Sequence, residues 1–198
     1  MTLNKILESK LEKNGIITTK QAASLGIKRH ILSNLAKKGE LVRIKKVVYK
    51  KNNQLIDEYS IIQSDNDKVI FSYQTALYFH DLSDRTPNII QITVPQGYNV
   101  LHLTNNFQNL KFHYVDKVVF DMGVILVPSN VGNPIRVYNK ERCICDLVKG
   151  RKHIDKEFFL NAVTKYFLSK DRNTRKLVKY SRKLGVKKDI RTYLEVVG

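Results

Sequence analysis

Cysteine is scarce in this chain of 198 residues: the sequence has two, Cys143 and Cys145, with one residue between them. Two cysteines are too few for a disulfide framework, and no other cysteine or histidine stands at the spacing of a structural zinc site. Two residues apart on a predicted helix, their side chains face different directions, and a buried thiol is the expected state for one or both. We therefore expect reduced cysteines, no bound metal and no cofactor.

Long apolar segments are also missing. No uncharged apolar run approaches the roughly 18 residues that a membrane-spanning helix needs. The N-terminal MTLNKILESKLEKNG has charges every few residues where a secretory signal would have an apolar stretch. With 42% hydrophobic and 27% charged residues, the chain is nonetheless too apolar for a disordered polymer. The expectation is a folded cytoplasmic protein without a membrane partner.

Acidic residues are few compared with basic ones, 18 against 35, which gives a formal net charge of +17. Residues 1–56 hold 13 basic and 3 acidic side chains, residues 57–140 hold 6 and 8, and residues 141–198 hold 16 and 7. Such an excess indicates a polyanionic partner, and its division between the two ends indicates two separate surfaces. The alternative is that the lysines only keep the protein soluble or reflect an AT-rich genome.

Catalytic motifs are absent from the sequence after residue 57. It has no phosphate-binding loop of the G-x-x-x-x-G-K-[ST] type, no H-E-x-x-H, no G-x-S-x-G and no dinucleotide glycine fingerprint. His80, with Asp81 and Asp84 nearby, could bind a metal, but a single histidine at the end of an apolar helix is more typical of a packed or capping residue. Arg142 and Asp146 have the i, i+4 spacing of an ordinary helical ion pair. We expect no enzymatic activity.

Three helices are predicted in the first 40 residues. The apolar residues of 2–14 follow the i, i+3, i+4, i+8 spacing of one helical face. Thr18 is placed to cap a second helix over 19–25. A third helix is predicted over 28–38, and a glycine ends each of the three.

The third predicted helix has basic and amide side chains opposite its apolar residues. A short helix, a glycine-containing turn and a second helix with such a face form the geometry that fits a helix into the major groove. The segment ELVRIKKVVYKK that follows predicts a two-stranded hairpin with a lysine tip, which is a wing. We predict a DNA-binding winged helix-turn-helix domain over residues 1–54. Its candidate DNA-binding residues are Lys20, Lys28, Arg29, His30, Ser33, Asn34, Lys37, Lys38, Lys45 and Lys46.

The candidate residues divide by position. Those early in the third helix are placed to contact base edges, while the later lysines are placed to neutralise phosphates. A winged helix that binds a protein is the alternative. The first set is Arg29, His30, Ser33 and Asn34, and the second is Lys37, Lys38, Lys45 and Lys46.

Residues 55–198 predict a second domain. Its β-type segments are 89–94, 111–115 and 124–127, and an antiparallel sheet is expected over a parallel one. From residue 140 the chain is predicted to be helical. The fold class is therefore α+β, with an N-terminal winged helix-turn-helix followed by a mixed α+β C-terminal domain that ends in helices. The remaining predicted helices are 57–63, 72–80, 140–148, 155–169, 174–184 and 187–197.

The last of these helices alternate cations with apolar residues, so that the apolar side chains dock the helices and leave a positively charged ridge. The partner of this C-terminal basic surface could be DNA flanking the winged-helix site, RNA or an acidic protein. Its residues are Arg172, Arg175, Lys176, Lys179, Arg182, Lys183, Lys187 and Lys188.

Three longer strings carry a resemblance to a known family. They are GIITTKQAASLGIKRHILSNLAKKGELVRIKKVVY, SYQTALYFHDLSDRTPNIIQITVPQGY and IRVYNKERCICDLVKGRKHIDKEFFLNAVTKY, which together span most of residues 15–166. The chain resembles the antitoxins of AbiE abortive-infection systems, which are classed as type IV toxin–antitoxin modules. The middle and late strings are the more diagnostic, because many winged-helix proteins share the first.

The resemblance implies a two-domain bacterial repressor. Its winged helix would bind inverted repeats in the double-stranded DNA of its own promoter, and its C-terminal domain would counter a nucleotidyltransferase-like toxin without forming a stable complex with it. One alternative is a stand-alone winged-helix regulator with a ligand-sensing C-terminal domain. The other is a nucleic-acid-processing enzyme, for which residues 57–198 show no carboxylate cluster or metal constellation.

Overall fold

A computed structural model describes residues 2–45, 47–52, 55–64 and 66–197. The chain divides into two compact units. The first comprises Met1–Asp67 and Val127–Ile135, and the second comprises Lys68–Leu126 and Arg136–Gly198. The division into domains 1–54 and 55–198 stays a prediction.

The first unit contains the three predicted N-terminal helices, and the wing strands follow them. The sheet has the order β1-β3-β2, and both pairings are antiparallel. The prediction missed β1, because a strand of three residues directly before a helix leaves too short a pattern to read. The elements are α1 (Thr2–Asn14), β1 (Ile16–Thr18), α2 (Thr19–Ser24), α3 (Arg29–Lys37), β2 (Leu41–Lys45), β3 (Val48–Lys51) and α4 (Glu58–Gln63).

One apolar cluster holds these elements together. Leu7 and Leu11 of α1 pack with Leu32 of α3 and with Tyr49 of β3, and all four are buried. A single core shared by the helices and the sheet fixes the orientation of α3, since its buried face cannot turn without exposing apolar area.

A buried polar cluster explains why residues 127–135 belong to the first unit. Oδ2 of Asp57 accepts hydrogen bonds from Ser60 Oγ at 2.6 Å, Ser129 Oγ at 2.5 Å and Asn133 Nδ2 at 2.7 Å. Asp57 also caps α4 by accepting from the Ser60 amide. Buried carboxylates need such partners, and here half of them come from a distant segment of the chain.

The second unit is built on a five-stranded sheet of order β6-β5-β4-β8-β7. All six residues of β5 are buried, as in a strand covered on both faces. The described residues include no helix long and apolar enough to cross a bilayer. The elements are β4 (Ile70–Phe71), α5 (Tyr73–Phe79), β5 (Ile90–Pro95), α6 (Leu101–Thr104), β6 (Leu110–Val115), α7 (Lys117–Phe120), β7 (Val124–Pro128), β8 (Pro134–Tyr138), α8 (Lys140–Gly150), a 3₁₀ helix (Arg151–His153), α9 (Lys156–Leu168), α10 (Thr174–Leu184) and α11 (Lys187–Val197).

The expected antiparallel sheet is wrong. β4 pairs with β5 antiparallel, but β4 with β8 and β5 with β6 are parallel. Parallel neighbours need a crossover connection, and the link from β5 to β6 is long enough to contain α6. The pattern of apolar residues does not encode strand direction, so the mixed sheet could not be read from it. The predicted α+β class itself is confirmed.

Helix α8 lies at the centre of the helical part of this unit and packs against α5, α9 and α10. Eight consecutive residues of α8, 141–148, are buried. A helix surrounded on all sides has no solvent face for its polar residues, so every charge on it needs a protein partner.

Candidate nucleic-acid interface and the buried charges of the second unit

The start of α2 is fixed by a reciprocal cap. Thr18 Oγ1 accepts from the Gln21 amide at 3.1 Å, and Gln21 Oε1 accepts from the Thr18 amide at 3.0 Å. Two amides at the helix start are thereby satisfied. After α2, Gly26 has a φ of 77°, a left-handed conformation that favours glycine, and the buried side chain of Ile27 anchors the turn to the core. This local geometry sets the direction in which α3 leaves the turn.

Helix α3 presents the predicted face to solvent. Leu32 is buried on one side of the helix. On the other side, residues spaced three and four apart share one surface. Ser33 is partly buried, and the other predicted residues of this region are exposed. The exposed set is Lys20 on α2, the N-cap residue Lys28, and Arg29, His30, Asn34, Lys37 and Lys38.

The wing differs from the prediction in detail. The Lys45 ammonium donates to the backbone carbonyl of Ile61 at 2.6 Å, so at least one of its donors has a protein partner. Lys46 lies outside the described residues. Arg43 on β2 is exposed and was not among the candidates, because the strand pattern assigned it only to the hairpin. Its position on a wing strand beside two lysines was the signal that could have included it.

The C-terminal basic surface is exposed at all eight predicted positions. On α10, Leu177, Ser181 and Leu184 are buried, and the cations occupy the remaining face. The guanidinium of Arg172 donates to the carbonyl of Phe167 at the end of α9. For the other seven, no ion pair forms among the residues that the structure describes: Arg175, Lys176, Lys179, Arg182, Lys183, Lys187 and Lys188.

Arg142 on α8 is a fully buried cation. Its Nε donates to both carboxylate oxygens of Asp146, at 3.1 and 3.0 Å, and its Nη1 donates to the Val119 carbonyl at 2.6 Å and the Met122 carbonyl at 3.3 Å. The guanidinium carbon lies 4.4 Å from the ring centroid of Tyr138. Within the described part of the chain, Nη2 is buried without a hydrogen-bond partner. The sequence predicted the i, i+4 pair but not its burial.

Burial shifts the acidities of the groups around this pair. It raises the pKa of the Asp146 carboxyl to about 6, although the Arg142 guanidinium acts in the opposite direction. Burial likewise raises the pKa of the Cys145 thiol to about 12 and that of Cys143 well above its ordinary value. Both cysteines are free and buried, which agrees with the predicted reduced, buried thiols.

His80 acts as a structural donor. Its Nε2 lies 2.7 Å from the Tyr138 carbonyl oxygen, which can only accept, so the ring carries a proton at Nε2. Burial lowers the pKa of His80 and favours the neutral ring. Among the described residues no group of His, Cys, Asp and Glu side chains is arranged to hold a metal ion.

Comparison with known proteins gives one family match and one similar solved structure. Residues 4–49 match the model of a family described as transcriptional regulator, AbiEi antitoxin, which confirms the resemblance over that segment. The fold is similar to that in the crystal structure of the RV2827C protein from Mycobacterium tuberculosis, with a TM-score of 0.57 and 13% sequence identity over 92% of this chain and 72% of that one. Among curated proteins, none matches the sequence.

Proposed function

From the match of residues 4–49 to AbiEi antitoxin regulators, we propose that this chain is a DNA-binding repressor of its own operon and the antitoxin of a type IV toxin–antitoxin module. The observation that carries the proposal is the exposed basic and amide face of α3, set on a core that fixes its orientation. Such a face on the second helix of a helix-turn-helix fits the major groove of double-stranded DNA.

The position of each residue on α3 decides whether it contacts a base edge or a phosphate. Arg29, His30, Ser33 and Asn34 lie within the first six of the nine residues of α3 and contact base edges, because the N-terminal part of a recognition helix enters the groove. The lysines at its end, at its N-cap, on α2 and in the predicted wing contact phosphates. Lys45 contributes less than its neighbours, since its ammonium is held by Ile61. The phosphate set is Lys20, Lys28, Lys37, Lys38 and Lys46.

The proposed partners are operator DNA and a toxin. An operator with inverted repeats would take two copies of the chain, one on each half-site. The second unit counters a nucleotidyltransferase-like toxin without a stable complex, and both act in the cytoplasm. Five cations of α10 form its basic stripe: Arg175, Lys176, Lys179, Arg182 and Lys183. This stripe extends the contact to flanking DNA, because cations that form no ion pair among the described residues attract phosphates.

Fluorescence anisotropy with the full chain tests the DNA-binding half. The probes are a duplex from upstream of its gene and a shuffled duplex of equal length. Asn34→Ala should weaken binding to the upstream duplex by about 1–3 kcal/mol and leave binding to the shuffled one nearly unchanged. Lys38→Gln should weaken both equally and reduce the salt slope by about one unit.

Lys152→Gln is the matched control, because Lys152 is an exposed lysine of the second unit outside both basic surfaces. It should change neither affinity. Equal affinity of the wild-type chain for both duplexes would remove the repressor proposal.

The antitoxin half is tested by growth. The full-length Arg29→Ala/Asn34→Ala variant is expressed from an independent promoter together with the product of the adjacent gene. Growth should be rescued as well as by the wild-type chain, because neutralisation is assigned to the second unit. If rescue is lost with DNA binding, the division of functions between the two units is wrong.

A further inference from the structure

A polar cavity of about 680 Å³ opens in the second unit, between the end of β6, α7, α8 and α10. Its volume lies in the range of small-molecule sites, roughly 300–1,000 Å³. The DNA-binding proposal makes no use of this cavity. Its residues come from four separate segments, so the sequence pattern did not bring them together.

One wall of the cavity is aromatic and held in place. The rings of Tyr73 and His113 stack with centroids 3.8 Å apart and an interplanar angle of 20°. His113 Nε2 lies 2.9 Å from Gln91 Oε1, which fixes the imidazole edge. Tyr73 has a φ of 48°, a left-handed conformation that costs about 1–3 kcal/mol for a residue other than glycine.

The other wall carries positive charge. The Arg142 guanidinium lies in it, with Nη2 buried and without a hydrogen-bond partner among the described residues. Lys149 and Lys183 stand exposed in the lining, and neither forms an ion pair within the described part of the chain.

The two carboxylates of the lining are already engaged. Asp146 accepts from Arg142, and Asp116 caps α7 by accepting from the Val118 amide at 2.8 Å. The two lysines are therefore the cations of this cavity that remain to be neutralised.

We propose that this cavity binds a nucleotide, with the phosphate groups on Lys149 and Lys183 and the base against the aromatic wall of Tyr73 and His113. A phosphate group carries up to two negative charges at neutral pH, which two lysine ammonium groups can neutralise as point charges. The unpartnered Nη2 of Arg142 supplies a donor for a ligand oxygen. A planar base gains stacking against the Tyr73–His113 pair.

Nucleotide binding would also act on the basic stripe of α10. Lys183 lines this cavity and the surface groove formed by Arg175, Lys179 and Arg182. A phosphate on Lys183 removes one cation from the stripe and so weakens its attraction for DNA. The cavity thus gives the second unit a means to sense a small molecule. The site itself does not depend on the proposed repressor function.

Isothermal titration calorimetry with the full chain tests the site. The probes are ADP and GDP, with adenosine and orthophosphate as partial ligands. At least one nucleotide should bind with a Kd below about 1 mM. Adenosine and orthophosphate should each bind at least about tenfold more weakly than that nucleotide, because each lacks one half of the recognised chemistry.

Lys149→Gln and Lys183→Gln should each weaken nucleotide binding about five- to tenfold, and their double variant more. The matched controls are Lys152→Gln and Lys179→Gln, exposed lysines near the same elements but outside the cavity lining. All four positions are exposed, so the thermal unfolding midpoints should stay at the wild-type value.

Three results would overturn the proposal. The first is no binding of either nucleotide. The second is an equal loss of affinity in Lys179→Gln and Lys183→Gln, which would show unspecific attraction to the stripe. The third is orthophosphate binding as tightly as the nucleotides, because the aromatic wall would then have no part in recognition.

Discussion

Two charged residues of the second unit, Arg142 and Asp146, are buried away from water. Each is the charged partner of the other. Removing two ions from water costs several kcal/mol each, which their mutual attraction and their hydrogen bonds must offset. The pair is therefore weak evidence for added stability, but breaking it leaves one uncompensated buried charge.

Replacing Asp146 tests that consequence. Asp146→Ala leaves the guanidinium buried without its carboxylate and should lower the free energy of unfolding by about 3–5 kcal/mol at pH 7. The control is Asp171→Ala, which breaks the exposed ion pair with Lys140 and should change stability little, because solvent screens that pair. Urea denaturation followed by circular dichroism measures both. Equal losses would contradict the account of the buried pair.

The imidazole of His113 gives a prediction about pH. Burial, with a smaller contribution from Lys111, lowers the pKa of His113 to about 4, against about 6.5 in an unfolded chain. Between pH 6.5 and 4 the unfolded chain takes up a proton that the folded chain does not, so the free energy of unfolding falls as the pH falls.

His113→Gln should lose less stability than the wild-type chain over this pH range, because it removes the group that titrates. His153→Gln, at an exposed histidine, is the control and should follow the wild-type profile. Urea denaturation at half-unit pH steps gives the comparison. A His113→Gln profile parallel to that of the wild-type chain would mean that this histidine is not the source.

Among the elements, α2 and α3 show how a short sequence sets a functional surface. α2 has six residues and little stability of its own, so its reciprocal cap and its packing must hold it. Because α3 follows directly from α2, a loosened cap frees the whole helix-turn-helix. Thr18 is completely buried, which gives its hydroxyl no water to replace the lost hydrogen bond.

Thr18→Ala should therefore lower the free energy of unfolding by about 1–2 kcal/mol. Ser24→Ala is the matched control: its exposed hydroxyl donates to the Gln21 carbonyl at the other end of α2, and its loss should have little effect. Thermal unfolding of both variants provides the measurement. If the two variants melt alike, the cap does not hold α2.

Helices and strands could be predicted from the sequence where their pattern of apolar residues was long. α10 and α11 were predicted with their observed bounds, because their apolar residues recur with helical spacing and Gly185 separates them at a φ of 75°. β4 was missed because two residues give no alternation, and β8 is a short strand that begins with a proline, which weakens a strand pattern.

On the scale of the whole molecule, contacts between distant segments could not be predicted. The hydrogen bond from Ser129 to Asp57 joins residues 72 positions apart, and no local pattern signals it. The cavity near Arg142 was missed for the same reason. The exposure of the basic face of α3 could be predicted for all its residues but Ser33, because they lie within a few turns of one helix.

The two basic surfaces differ in whether the family match covers them. One lies on the helix-turn-helix that matches AbiEi regulators, and the other lies on α10, which falls outside the matched residues 4–49. We assign sequence preference to the first surface and unspecific phosphate attraction to the second. The net charge of +17 alone could not make this distinction.

DNase I footprinting of the region upstream of the gene, with the full chain, shows whether sequence recognition lies on α3. We expect two protected half-sites in inverted orientation, lost in Arg29→Ala/Asn34→Ala and retained in Lys179→Gln/Arg182→Gln. Protection that survives the α3 substitutions and disappears with the α10 substitutions would contradict this expectation, because sequence recognition would then lie outside the helix-turn-helix.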